Sequence, residues 1–140
     1  MGVTSVTMRI EEHIKGIKES VRLLEYSIEK GLVDNQRTIG FNTSAAAVDM
    51  LEILLHKKSL IDPGFIVKHD WFLSKNKVQE KIVFDFPKKK EIIEIIMKIE
   101  EKRNILCYGK RQPENIIRES IEHFNKLKVI FKEAGLNEEI

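Results

Sequence analysis

Three observations predict an all-α protein, an up-down four-helix bundle with an irregular or short-helical insertion between its second and third helices. Apolar residues recur at alternating spacings of four and three through long stretches, as in Ile10, Ile14, Ile17, Val21, Leu24 and Ile28, which is the core-facing stripe of a long amphipathic helix. Only seven glycines and three prolines occur in 140 residues, and most of them punctuate the stretches rather than interrupt them. The one segment with strand-like alternation, Lys81 to Phe86, has no evident partner, and a lone strand is not stable.

The first helix is predicted from about Ser5 to Lys30, with Gly31 as its stop and Lys30 complementing the dipole in the last turn. Asn42, Thr43 and Ser44 are candidate N-caps for the second helix. Its apolar residues Ala45 to Val48, Met50-Leu51 and Ile53 to Leu55 form a band too wide for a surface helix, so it should be the most buried. Its polar residues Asp49, Glu52 and His56 fall on one side and are expected to be its solvated face rather than a ligand set.

After the turn Asp62-Pro63-Gly64, residues 65–86 are read as a connection holding a short helix around Ile66 to Leu73, with Trp71 and Phe72 as packing residues. Asp85 or Phe86 should cap the third long helix, with Pro87 near its first turn, and Gly109 should stop it after Tyr108. The last helix opens at Pro113-Glu114 and carries the stripe Ile117, Ser120, Phe124, Leu127, Phe131 and Ala134 before Gly135.

A chain of this size and composition, 42% hydrophobic and 33% charged, can form one domain, 1–140, with a substantial core. The single cysteine, Cys107, excludes an internal disulfide framework and leaves too few thiols for a cysteine-based zinc site. No run of apolar residues reads as a membrane span and no signal-peptide core is visible, so a cytoplasmic protein with no membrane association is expected. The net charge of +2 is unevenly spread: residues 88–111 carry eight Lys or Arg against four Glu, a local +4 that favours anions.

Within that basic stretch, Ile92, Ile96, Ile99, Arg103 and Leu106 keep the four-three spacing, so Arg103 occupies a core-stripe position. A buried guanidinium needs a partner: either a carboxylate such as Glu52 or Glu119, or an anion from outside. Asn104, Tyr108, Lys110 and Arg111 surround it in sequence with groups that bond phosphate oxygens. His123 reads as a boundary residue and Cys107 as a small core residue.

At these residues the chain resembles the HEPN superfamily of helical-bundle domains from RNA-processing, toxin–antitoxin, defence and nucleotidyltransferase-associated systems. That family's hallmark is Arg, a polar residue that is often Asn, a few further positions, then His. Arg103-Asn104 matches its start, and Ile66-Val67-Lys68-His69-Asp70-Trp71 is similar to the family's hydrophobic-x-x-His-Asp stretch, in a likeness spanning roughly Phe41 to Phe131. Tyr108 departs from the pattern by standing where the histidine would be. A phenol holds its proton at neutral pH and makes a poor general base.

The resemblance therefore implies a domain that binds RNA or nucleotide phosphate through Arg103, Asn104, Lys110 and Arg111 without efficient catalysis; the regular heptad seams predict a homodimer, and no metal or cofactor is expected. Two alternatives accompany it. One is a metal-independent endoribonuclease in which Arg103 and Tyr108, or an unrecognised group, carry the reaction. The other is a structural or regulatory partner of a nucleotidyltransferase, with Tyr108 as the modified residue.

Overall fold

The computed structural model describes residues 2–137, and side-chain surroundings from residue 5 onward. Four long helices, α1 (Gly2–Lys30), α2 (Gln36–Lys57), α4 (Lys89–Tyr108) and α5 (Glu114–Glu133), form an all-α bundle. The connection between α2 and α4 contains a 3-10 turn, His69–Leu73, and a short helix, α3 (Lys75–Lys81). No strand occurs among the described residues; in the segment with strand-like alternation Ile82 and Phe86 are instead buried singly as anchors.

α2 is the centre of the bundle. It packs against α1, α4 and α5, and α4 packs against α5, whereas α1 lies almost entirely on α2. Contacts along two seams run in reversed order, Arg9 and Gly16 of α1 approaching Glu52 and Asp49 of α2, and Gln36 and Ser44 of α2 meeting Leu106 and Glu100 of α4, while Lys102 of α4 pairs with Glu119 of α5. Among the described residues α2 is also the one helix long and apolar enough to cross a membrane, a property missed in the sequence, yet 78% of its most apolar window is buried inside the bundle.

The stripe of α5 is buried throughout, and Ile17 and Leu24 anchor α1, while Ile28 is half exposed where α1 passes the end of the core. Gly31 and Gly135 follow α1 and α5 with φ of 131° and 109°, left-handed values that glycine adopts without a Cβ clash.

Two helix starts differ from expectation. α2 begins at Gln36, so Asn42, Thr43 and Ser44 are interior residues rather than caps. Asn42 Nδ2 donates to Thr38 O and the Thr43 hydroxyl to Ile39 O, bonds that satisfy these side chains within the helix itself. α4 begins at Lys89, after a left-handed Lys88 (φ 63°), and not at Asp85 or Phe86.

The larger correction concerns Asp49, Glu52 and His56, which do not face water but α1. Glu52 and His56 are buried; His13 Nδ1 donates to Asp49 Oδ1 at 2.7 Å, and His13 Nε2 lies 2.5 Å from Glu52 Oε2. Burial disfavours a charged His13, but the Asp49 hydrogen bond and the Glu52 carboxylate outweigh it and raise its pKa to about 9. His56, buried beside that cation, is pushed below the ordinary histidine value. Glu52 Oε1 also accepts the Val67 N–H at 2.6 Å, tying the interhelical connection to the same seam.

α2 and α4 approach closely at Gly40, where a Cβ would lie 2.8 Å from Leu106 Cβ and 3.2 Å from Cys107 Sγ. Alanine would gain about 1 kcal/mol in helix propensity but must force two backbones apart, an overpacking cost of about 1–3 kcal/mol. Gly40→Ala should therefore lower the unfolding free energy by about 1 kcal/mol, read as a lower midpoint in urea with an unchanged slope.

Candidate functional site

Arg103 lies one turn beyond Glu100 on α4 and is half-buried, with 21% of its side chain exposed. Neither expected carboxylate meets it: Glu52 belongs to the α1–α2 seam, and Glu119 pairs with Lys102 at 2.8 Å. Its nearest acid is Glu100, whose Oε2 is 4.0 Å from Nη1. That is too long for a hydrogen bond. The guanidinium instead lies over the exposed ring of Phe41, 5.9 Å from its centroid, and Nε has no hydrogen-bond partner among the described residues.

Glu100 is fully buried, and its other oxygen is occupied. Oε1 accepts from the Ser44 hydroxyl and lies 2.8 Å from His69 Nδ1, while Ser44 Oγ is 2.9 Å from the same nitrogen. With the Ser44 hydroxyl donating to Oε1, Nδ1 of His69 is placed to donate to these two oxygens, and Nε2 makes no hydrogen bond among the described residues. About a third of the His69 side chain, 35%, is exposed. The 3-10 turn thus brings His69 to within one shared carboxylate of Arg103, the two being 34 positions apart in sequence.

Beside Arg103 runs a shallow groove of about 390 Å³, between the first turns of α2, the last turn of α4 and the flank of α1. Arg37, Thr38, Phe41, Cys107, Tyr108 and Leu23 line it. Phe41 and Tyr108 expose their rings, 54% and 73% respectively. Cys107 donates to Arg37 O at 3.6 Å; burial pushes its thiol above the ordinary value, against the pull of Arg103 and Arg37.

Gln36 locks the ends of this groove together. Its Nε2 donates to Leu106 O at 3.1 Å and to Lys110 O at 3.0 Å, and its Oε1 accepts from Gln112 N at 2.8 Å. These bonds occupy one C-terminal carbonyl of α4, Leu106 O, and one just past the helix, Lys110 O, that would otherwise repel an anion.

Of the residues singled out in the sequence, Asn104 and Lys110 are exposed near this end of α4, and Arg111 donates to Val33 O at 3.0 Å, bracing the α1–α2 loop. His123 stands apart beside Lys98 and Lys102; burial and those cations hold its pKa down. Sequence reasoning missed Ser44, Glu100, Arg37 and Phe41 as site residues. The only available signal was Glu100 three positions before Arg103, on the same helix face. No protein-family model, curated protein or solved structure matches this chain.

Because burial outweighs the two guanidinium groups at Cys107, alkylation by iodoacetamide at pH 8 should run several-fold slower than for free cysteine. Mass-resolved labelling over time would measure it, and a rate equal to that of free cysteine would contradict the burial.

Proposed function

We propose that this chain is a HEPN-like helical domain, acting as a homodimer, that holds a phosphate of RNA or of a nucleotide on Arg103. The observation that carries the reading is a half-buried guanidinium without a directed carboxylate bond, laid on an exposed aromatic ring. Arg37 adds a second cation, and Phe41 and Tyr108 offer faces on which unpaired bases stack. Lys110, Arg111 and Asn104 extend the basic surface beyond the groove. Leu23, which lines the groove, and Tyr26, one turn along the same side of α1, are exposed and form the face a second copy would cover.

Arg103→Ala should weaken binding of single-stranded RNA about tenfold at low salt, the loss of one charge-assisted contact, and reduce the salt slope by about 1. Phe41→Ala should weaken it by about 1–3 kcal/mol if a base stacks there. Fluorescence anisotropy across a salt series measures both, and RNA should further slow alkylation of Cys107. Binding unchanged in Arg103→Ala sinks the proposal.

His69 favours a second reading, a metal-independent endoribonuclease in which it replaces the missing histidine. Glu100 would orient the ring, Nε2 would take the proton of a ribose 2′-hydroxyl attacking the phosphorus, the P–O5′ bond would break with the departing oxygen protonated by that imidazolium or by water, and Arg103 would hold the phosphate. The ends would be a 2′,3′-cyclic phosphate and a 5′-hydroxyl. RNA incubated in EDTA should then be cut by the unmodified protein and at least a hundredfold more slowly by His69→Ala; no cutting leaves the binding role alone. The exposed Tyr108 phenol also suits modification by a nucleotidyltransferase partner, visible as added mass after co-expression.

A further inference from the structure

A second constellation lies in the seam between α1 and α2 and plays no part in the Arg103 groove. We propose that His13, Glu52 and His56 form a zinc site that pins α1 to α2, with Asp49 holding His13 in the ligating orientation. One donor atom from each of the three residues lies within 4.8 Å of the others. His13 Nε2 and Glu52 Oε2 face each other at 2.5 Å beside His56, both of whose ring nitrogens are buried without a hydrogen-bond partner among the described residues. His56 is 3% exposed, and an imidazole buried this way, with both nitrogens unserved, costs free energy that a ligand would recover.

Two of the three ligands are already held from behind. Asp49 Oδ1 accepts from His13 Nδ1 at 2.7 Å, which turns the Nε2 lone pair toward Glu52 and His56, as carboxylate–histidine–metal triads do. Glu52 is oriented from its other oxygen by the Val67 N–H at 2.6 Å. Two imidazoles and one carboxylate suit zinc, whereas calcium and magnesium demand oxygen cages. Zinc bonds of about 2.1 Å at tetrahedral angles put donors roughly 3.4 Å apart. The 2.5 Å separation of His13 Nε2 from Glu52 Oε2 would open by about an ångström as the ion replaced the proton between them.

Arg9 opposes the ion, with Nη2 3.6 Å from Glu52 Oε2. Its side chain is 37% exposed, so it can swing to solvent, and Asp49 and Glu52 still bring two negative charges against its one. Three protein donors leave the fourth position to a water, and the burial of Glu52 and His56 keeps the site away from substrates, so its role would be to hold the two helices together. Its effect falls on α1, which has almost no other packing partner.

The test uses the full chain purified without a histidine tag, stripped with EDTA and titrated with zinc against a chromophoric chelator. One zinc per chain should bind, and a hundredfold excess over the dissociation constant should raise Tm by on the order of 5–10 °C. His56→Leu should lose both effects and His123→Ala neither. Should His56→Leu fail to fold, Asp49→Asn decides: its affinity should fall about 10- to 100-fold. No stoichiometric zinc and no shift in Tm for the unmodified chain overturns the proposal, as does unchanged affinity in either seam variant.

Discussion

Most of the polar side chains that α2 buries find a partner on another segment, because α2 is surrounded by α1, α4 and α5, and the rest of the structure follows from that. An unserved buried polar group costs about 1–3 kcal/mol, so α2 cannot carry polar residues as decoration. Gln36 clamps the α4–α5 loop, Thr43 meets Ser120, Ser44 meets Glu100 and His69, and Glu52 meets His13 and Val67. The apolar packing sets which helices touch; these bonds set at what height.

That same constraint explains how an anion-attracting groove can exist at the C-terminus of α4, where the helix dipole disfavours one. The first turn of α2 lies alongside the last turn of α4, so opposite helix ends are neighbours, and Gln36 occupies the Leu106 carbonyl of that turn and the Lys110 carbonyl just beyond it. Glu100 meets Ser44 and His69 on its inner oxygen and leaves Arg103 only a distant contact on the outer one. The carboxylate is thus committed inward, and the guanidinium faces outward with its charge unspent.

Arg103 and the α5 stripe were legible because both depend on local periodicity: an arginine on a row of isoleucines marks itself, and Ile117 to Ala134 keep one spacing throughout. The seam was not legible. Asp49, Glu52 and His56 share a side of α2, but spacing identifies a face and not what covers it. The wide apolar band held the clue, since a helix apolar nearly all round is enclosed nearly all round, and its remaining polar side is then enclosed as well. Nothing local tells that Asn42, Thr43 and Ser44 lie inside a helix instead of opening it, because the same side chains can cap or back-bond. His69 meets Glu100 only through the path of the connection, which no periodicity encodes.

The charged seam also answers a problem that the α1 stripe creates. Spacings of four and three repeat every seven residues, so sliding α1 by one heptad along α2 would keep isoleucine, valine or leucine at most contact positions. Apolar burial alone would hardly distinguish these registers. A slip of seven in either direction, however, would bring Val6 or Ser20 opposite Glu52 in place of His13. A buried carboxylate deprived of its cation costs about 3–5 kcal/mol, enough to reject either slip by a factor of roughly a hundred or more. The seam is therefore less a source of net stability than the device that fixes α1 in one register, in the way a single buried polar residue fixes a coiled coil. With that register fixed, Leu23 lies beside Phe41 and completes the wall of the groove that Arg103 overlooks.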